Sequence, residues 1–254
     1  MSQTRFHPPL SVWRCAASCL ALGLLLLAGS GVHADEFDMD DELLNAELDK
    51  GQALILVTIE NKNGQPMEGV IVSVRKNRVP QTTSYVSNTR GKIVLTVPIN
   101  AVYTLSFLSL DSSVKSHEER FEIDRREDQR HSLIMTYDPP TTSTFILKGV
   151  SFETGKAILT KASFARLKPL LEYLTLKPDI GIELSGHTDN VGDDDANLRL
   201  SDERANAVKS WLVSNGVAAE RIFAVGYGAE RPLADNSTAA GRSQNRRTEV
   251  RIID

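Results

Sequence analysis

The clearest hydrophobic pattern in the chain is that of a strand followed by a long helix. Three apolar residues alternate with small or polar ones, which is the period of a strand with one buried face: Ile180, Ile182 and Leu184. After a polar turn at 190–195, four apolar residues recur at spacings near whole helical turns: Leu198, Ala205, Val208 and Leu212. The pattern predicts that these four side chains pack inward and that Asp189 lies just past the carboxyl end of the strand.

Charged and polar residues flank this junction. Asn197 and Arg204 are seven positions apart, so on a helix that includes both they lie two turns apart on nearly the same flank. Two interpretations stay open from the residues alone. Asp189 and Arg204 could neutralise each other as a surface ion pair worth about 0 to 1 kcal/mol. Alternatively they could bind a zwitterion, with Asp189 taking an ammonium and the guanidinium of Arg204 taking a carboxylate.

The earlier part of the chain has the pattern of short strands. Six stretches rich in Val, Ile, Leu and aromatic residues are separated by turn signals: 53–60, 69–75, 92–97, 103–108, 119–123 and 132–137. Strands at this spacing predict an all-β sandwich over residues 51–137. A Pro-rich hinge at 138–143 then leads into a second domain, residues 144–254.

The second domain combines strands and helices. A strand over 145–152 is followed by a helix that Thr160 can cap and that Pro169 should kink or shorten. Two more strands are predicted at 222–228 and 248–253. The fold class is therefore multidomain, with an all-β sandwich followed by an α+β domain. We expect that domain to form a β-α-β-α-β-β mixed sheet with helices on one face.

The amino-terminal residues are typical of export. Arg5 and Arg14 precede an apolar run, and a small-residue cleavage site follows at Ala34, so residues 1–34 are predicted to be a signal peptide. Residues 35–50 form an acidic linker. An uncleaved membrane anchor is the alternative, but the run is shorter than the about 20 residues that span a bilayer comfortably. Lipidation is disfavoured because Cys15 and Cys19 precede most of the apolar run.

Charge and motifs exclude several function classes. The formal net charge is −4, and loss of the predicted signal peptide removes two arginines, which argues against nucleic acid or anionic lipid as the main partner. A hydrolase triad around His187 and Asp189 lacks a Gly-x-Ser-x-Gly nucleophile motif. The acidic run 193–195 lacks the alternating ligands of a calcium loop. We therefore predict no catalytic residue, no metal and no cofactor.

Several short motifs in one order carry a family resemblance: GHTDN at 186–190, Asn197, LSDERA at 200–205, GYG at 226–228 and GRSQNRRTE at 241–249. Over about 144–254 the chain resembles the OmpA-like peptidoglycan-binding domain. The resemblance implies that Asp189 and Arg204 hold the free end of a meso-diaminopimelate residue in the peptidoglycan stem peptide. It also implies that Asn197 and Thr188 belong to the binding site. Glu153 lies near the position of a family acid that helps to bind the ammonium.

A second resemblance concerns the β-rich region. NGQPMEGVIVSV at 63–74, TRGK at 89–92 and VPINAVYTL at 97–105 resemble the carboxypeptidase-regulatory-like or transthyretin-like β-sandwiches. No cluster in this region has catalytic or metal-binding spacing. We expect a spacer or a module that docks on another protein of the cell envelope.

The resulting hypothesis is a non-enzymatic protein of the periplasm, or associated with the outer membrane, that binds peptidoglycan noncovalently through the diaminopimelate residue. The alternative is a structural subunit of an envelope secretion or motility machine, anchored by an uncleaved amino-terminal segment. The expected partners are peptidoglycan and an envelope protein docked on the β-sandwich, and nucleic acid is not expected.

Overall fold

The computed structural model describes residues 48–110, 118–124, 129–140 and 142–253. The predicted signal peptide, and the predicted acidic linker as far as residue 47, lie outside these residues. Within the described ranges, no helix combines the length and the apolar character needed to cross a membrane.

The described residues separate into two compact units. The first unit consists of the described residues up to Gly69, of Ser87–Tyr103 and of the described part of Arg120–Tyr137. The second unit consists of Val70–Val86 and of the described parts of Thr104–Glu119 and Asp138–Asp254. The domain boundaries predicted from the sequence stay a prediction.

Seven strands precede Asp138 among the described residues: β1 (Gln52–Glu60), β2 (Ile71–Lys76), β3 (Thr82–Val86), β4 (Lys92–Pro98), β5 (Ala101–Phe107), β6 (Glu118–Ile123) and β7 (Gln129–Thr136). They form a three-stranded sheet of order β4-β1-β7 and a four-stranded sheet of order β3-β2-β5-β6. Strand β1 is antiparallel to β4 and parallel to β7. Strand β3 was missed because TTSYV is mostly polar, and the sandwich arrangement itself stays a prediction.

The rest of the chain alternates strands and helices: β8 (Thr144–Ile146), α1 (Lys161–Leu176), β9 (Gly181–Gly186), α2 (Asp194–Ser214), β10 (Ile222–Gly226), α3 (Ala239–Asn245) and β11 (Thr248–Ile253). The sheet order is β10-β9-β11-β8. Strands β9 and β10 are parallel, whereas β11 runs antiparallel to both of its neighbours. The predicted mixed sheet is therefore present, with the short helix α3 as an additional element before β11.

One hydrophobic core joins this sheet to its two long helices. Ile182 and Leu184 of β9 and Val250 of β11 are completely buried, and they share the core with residues from both helices. The helical contribution consists of Leu167, Leu170 and Leu174 from α1 and Ala205, Val208 and Leu212 from α2. Each large side chain buried here contributes about 1.5 to 3 kcal/mol relative to an exposed position. Because α1 and α2 share this core, both lie on one face of the sheet, as predicted.

The inward face of α2 differs from the prediction at its start. Leu198 is 42% exposed, and the buried stripe begins instead with Asn197 and Ser201. The reason is hydrogen bonding: Asn197 turns inward to donate to backbone carbonyl groups that no apolar side chain could satisfy.

Helix α1 and the strand before it also depart from the sequence-based expectation. The helix continues through Pro169 to Leu176 and is not shortened there. The predicted strand over 145–152 ends at Ile146, because a turn with Gly149 at φ = 78° follows directly. At that φ only glycine is free of strain.

Candidate functional site

Asp189 lies just beyond the carboxyl end of β9, as predicted. The loop that carries it is fixed by backbone hydrogen bonds on both sides, from the His187 amide to the Arg247 carbonyl (3.0 Å) and from the Thr188 amide to the Gly228 carbonyl (2.9 Å). The Oδ1 atom of Asp189 accepts a hydrogen bond from the Val191 amide at 3.1 Å. These contacts hold the carboxylate in one orientation at the end of the strand.

Close backbone packing brings α2 against this strand end. A Cβ atom on Gly186 would overlap the carbonyl oxygen of Ser201, so only glycine permits the approach. The Ser201 hydroxyl donates to the Leu198 carbonyl (2.8 Å) and accepts from the Gly228 amide (2.8 Å). One turn further along α2, Arg204 therefore lies beside the strand end that carries Asp189.

A cavity of about 170 Å³ opens at this junction. Its lining combines three arginines with a histidine and a small apolar wall: Val150, Ser151, Phe152, His187, Arg204, Arg246, Arg247 and Thr248. Residues from the segment before α1, from the loop after β9, from α2, and from the start of β11 and the turn before it thus meet around one space.

Two of the three arginines are neutralised by carboxylates. Arg246 donates from Nη1 to Oδ2 of Asp189 at 2.6 Å, and Arg247 donates from Nε to Oε1 of Glu249 at 2.6 Å. Arg246 thus pairs with Asp189, and Arg247 pairs with Glu249. The surface ion pair between Asp189 and Arg204, one of the two interpretations of the sequence, is absent from the described residues.

Arg204 is held in place but lacks an acidic partner among the residues that the structure describes. Its Nε donates to the Lys156 carbonyl at 3.1 Å, and its guanidinium lies 5.2 Å from the centre of the Phe152 ring. Burial and the neighbouring Arg246 lower the pKa of Arg204, while Asp189 acts in the opposite direction. Within the same described part of the chain, its two terminal nitrogens make no hydrogen bond, so they remain available to an anion.

The other predicted site residues occupy different environments. Asn197 donates from Nδ2 to the carbonyl groups of Val191 (3.1 Å) and Asp189 (3.5 Å), so it holds the Asp189 loop. The Thr188 hydroxyl is buried and has no hydrogen-bond partner among the described residues. Glu153 is exposed, forms an ion pair with Lys156 at 2.8 Å and does not line the cavity.

His187 is a cavity residue that the sequence analysis set aside. Its imidazole is buried, stacks on Tyr227 at 5.5 Å and has no hydrogen-bond partner for either ring nitrogen among the described residues. The nearest carboxylate oxygen, Oε2 of Glu249, is 3.8 Å from Nε2. Burial, followed by the positive charge of Arg247, lowers the pKa of His187 to about 4, so the ring is neutral at pH 7.

The region that carries the site is similar in sequence to known proteins. The OmpA family matches residues 151–246. Outer membrane porin F of Pseudomonas fluorescens is 45% identical over 103 residues, which cover 41% of this chain and 32% of the porin. Peptidoglycan-binding protein ArfA of Mycobacterium tuberculosis is 38% identical over 101 residues, covering 40% of this chain and 31% of ArfA. The chain thus spans about a third of the length of these relatives.

Among solved structures, the peptidoglycan-associated lipoprotein from Burkholderia pseudomallei is 31% identical, with 41% of this chain and 86% of that chain covered and a TM-score of 0.38. The family resemblance drawn from the short motifs is confirmed by the match of the family itself and by the identity to porin F and ArfA. Residues 151–246 of this chain are an OmpA family domain.

Proposed function

We propose that this protein binds peptidoglycan noncovalently, through the free amino acid end of the meso-diaminopimelate residue in the stem peptide. The observation that carries the proposal is the proximity of two groups. Arg204 lines the cavity and has no acidic partner among the described residues, and Asp189 is a fixed carboxylate bound to the cavity residue Arg246 and close enough to act on the charge of Arg204. The free end of the diaminopimelate side chain carries one ammonium and one carboxylate, so each of its charges meets a protein group of opposite sign.

The chemistry of the cavity favours a zwitterion on an aliphatic chain. The terminal nitrogens of Arg204 can bind a carboxylate in a bidentate manner, which is the stronger form of this interaction. Asp189 can accept an ammonium because a carboxylate offers about four acceptor positions and Arg246 and the Val191 amide use only two of them. The side chains of Val150 and Phe152 supply an apolar wall for the methylene groups of the ligand.

The supporting residues have distinct proposed roles. Asn197 holds the carbonyl groups of the Asp189 loop, and the buried hydroxyl of Thr188 offers an unused hydrogen bond at the same loop. Glu153 is proposed to contribute negative charge outside the cavity that attracts the ammonium. The name of the relative ArfA, a peptidoglycan-binding protein, supports the same ligand class. Binding of this kind predicts a protein of the periplasm or the outer membrane that has no turnover on peptidoglycan.

The direct test is co-sedimentation of the purified protein with sacculi that contain meso-diaminopimelate. Wild type should pellet with the sacculi, and Asp189→Ala and Arg204→Ala should each stay largely in solution. Truncation of either partner leaves a ligand charge unpaired, at a cost of roughly 2 to 5 kcal/mol. Free meso-diaminopimelate should compete with the sacculi, whereas the tripeptide L-Ala-γ-D-Glu-L-Lys, whose side chain ends in an amine without a carboxylate, should not.

Matched controls lie on the same helix. Arg199→Ala removes an exposed arginine of α2, and Asp202→Asn removes an exposed acidic charge. Both variants should bind like wild type. Equal pelleting of wild type, Asp189→Ala and Arg204→Ala would contradict the proposal.

A further inference from the structure

The segment between β8 and α1 forms a small closed hairpin, Ser151–Thr160. Its two ends are joined by the Thr160 amide to the Ser151 carbonyl (3.0 Å), by a bridge between Phe152 and Leu159 and by the Glu153 amide to the Ile158 carbonyl (2.9 Å). Three hydroxyl groups join its base to the first turn of α1, those of Ser151, Thr160 and the completely buried Ser163. A hairpin attached at so many points presents its tip in a defined position.

The tip of this hairpin is a tight turn. The Lys156 amide donates to the Glu153 carbonyl at 3.0 Å, and Gly155 has φ = 68°, a value that glycine adopts without strain. The turn leaves the Lys156 carbonyl free to accept the Nε–H of Arg204 at 3.1 Å. The Lys156 side chain forms an ion pair with Glu153, so Lys156 contacts Arg204 through its backbone carbonyl.

Two contacts from the hairpin thus act on one guanidinium. The Lys156 carbonyl accepts the Nε–H, and the Cζ atom of the guanidinium lies over the Phe152 ring, 5.2 Å from the ring centre. Both contacts leave the two terminal nitrogens of Arg204 open to the cavity. A long side chain that is ordered before binding loses less conformational entropy when a ligand arrives.

The geometry points to the Ser151–Thr160 hairpin as the positioning element of the carboxylate-binding arginine, with Phe152 and the Lys156 carbonyl as its two contacts. This inference rests on the proposed function, because it assigns the hairpin a part in binding the ligand carboxylate. It also distinguishes Phe152 from an ordinary core residue, since the aromatic face, and not only the apolar volume, is what contacts Arg204.

A pair of substitutions separates the aromatic face from the apolar volume. Phe152→Leu keeps an apolar side chain in the cavity wall but removes the ring, whereas Phe152→Tyr keeps the ring. We expect Phe152→Leu to bind the tripeptide L-Ala-γ-D-Glu-meso-diaminopimelate roughly three- to tenfold more weakly, and Phe152→Tyr to restore binding to within about twofold of wild type. Lys168→Ala, which removes an exposed lysine of α1 outside the hairpin, should bind like wild type.

Nuclear magnetic resonance can observe the Arg204 Nε–H directly, and general destabilisation of the domain would not change this signal selectively. The Nε–H signal of Arg204, identified by its loss in Arg204→Lys, should be resolved and protected from exchange in wild type and in Phe152→Tyr before ligand is added. It should broaden or exchange faster in Phe152→Leu. An unchanged Nε–H signal together with unchanged affinity in Phe152→Leu would overturn the inference.

If Phe152→Leu fails to fold, a second variant can test the same inference. Gly155→Val strains the turn at a position where an added Cβ meets no atom within 4 Å, so it alters the tip and spares the core. It should weaken tripeptide binding and expose the Arg204 Nε–H, and normal behaviour in both measurements would overturn the inference. If Arg204→Ala binds the tripeptide like wild type, the proposed function itself fails; if Arg204→Ala alone loses binding, only the role of the hairpin fails.

Discussion

Arg246 is the cation bound to Asp189: its Nη1 lies 2.6 Å from Oδ2, and the pair joins the turn before β11 to the loop after β9. The Asp189 side chain is 12% exposed, whereas that of Arg246 is 48% exposed. A mostly enclosed carboxylate is therefore neutralised by an arginine that still reaches solvent. Arg204 lines the same cavity as Arg246 but has no acidic partner among the described residues, so its charge is available to a ligand.

Replacement of Arg246 should affect peptidoglycan binding less than replacement of Arg204. The charge of Arg246 is already balanced by Asp189, and Arg204 has no such partner among the described residues. We expect Arg246→Gln to weaken tripeptide binding less than about threefold and Arg204→Gln to weaken it more than about tenfold, as titration calorimetry would measure. Equal losses in the two variants would mean that Arg246 also contacts the ligand carboxylate.

His187 should make the stability of the domain depend on pH. Its pKa is about 4 in the folded protein, with burial as the main cause and Arg247 next, against an ordinary value of 6.5. Glu249 acts in the opposite direction, Arg231 adds to the lowering and Tyr227 stacks on the ring. Between these two pKa values the unfolded chain binds more protons, so the free energy of unfolding should fall as the pH drops from 6.5 toward 4.

The measurement for His187 is urea unfolding at pH 7 and at pH 5. The loss of stability between these values should be smaller in His187→Gln than in wild type, because the titrating ring is gone. Identical losses in the two proteins would show that His187 does not carry this pH dependence.

Arg221 should be a determinant of stability and not of binding. Its Nε donates to the Ile180 carbonyl (2.9 Å) and its Nη2 donates to the carbonyls of Leu174 (2.9 Å) and Lys177 (2.6 Å), at the carboxyl end of α1. Arg221→Ala should lower the free energy of unfolding by about 1.5 to 3 kcal/mol, since partly buried carbonyl groups lose a charged donor. Folded Arg221→Ala should still pellet with sacculi, and a selective loss of binding at unchanged stability would contradict this assignment.

Gly186 should tolerate no side chain. Gly186→Ala places a Cβ against the Ser201 backbone and should destabilise the domain by about 3 kcal/mol, which thermal or urea unfolding would detect. Gly181→Ala, on the same strand, is the matched control because its Cβ would meet its nearest neighbour at an ordinary 3.4 Å. Similar losses at the two positions would mean that the close approach of α2 is not what constrains Gly186.

The sequence allowed the main features around Asp189 and Arg204 to be predicted, because periodicity identifies both β9 and α2 and the spacing then orients the two charges. The mixed sheet and the helices on one face followed from the same periodicity. The assignment of Asp189, Arg204, Asn197, Thr188 and Glu153 to a binding site stays a prediction. Leu198 was assigned inward because periodicity records apolar residues only, whereas a buried Asn fills that side of the helix.

The remaining site features depend on contacts that periodicity does not record. Arg246 and Asp189 are 57 residues apart in sequence, so no local pattern pairs them. The hairpin Ser151–Thr160 is held by hydroxyl and backbone hydrogen bonds, which leave no periodic pattern in its sequence. For His187, burial follows from the packing of β11 and the Tyr227 ring around it, and its ring nitrogens have no hydrogen-bond partner in the part of the chain that the structure describes. A single sequence does not reveal either feature.

The position of β11 between β9 and β8 links the sheet to the cavity. Residues 248–253 fill the space between β9 and β8 in the sheet, and they follow directly after Arg246 and Arg247 of the cavity. Without β11, the domain would have neither a closed core nor a complete cavity wall. The pairing of the sheet and the wall of the proposed binding cavity therefore depend on the same strand, so a change that displaces β11 would affect stability and binding together.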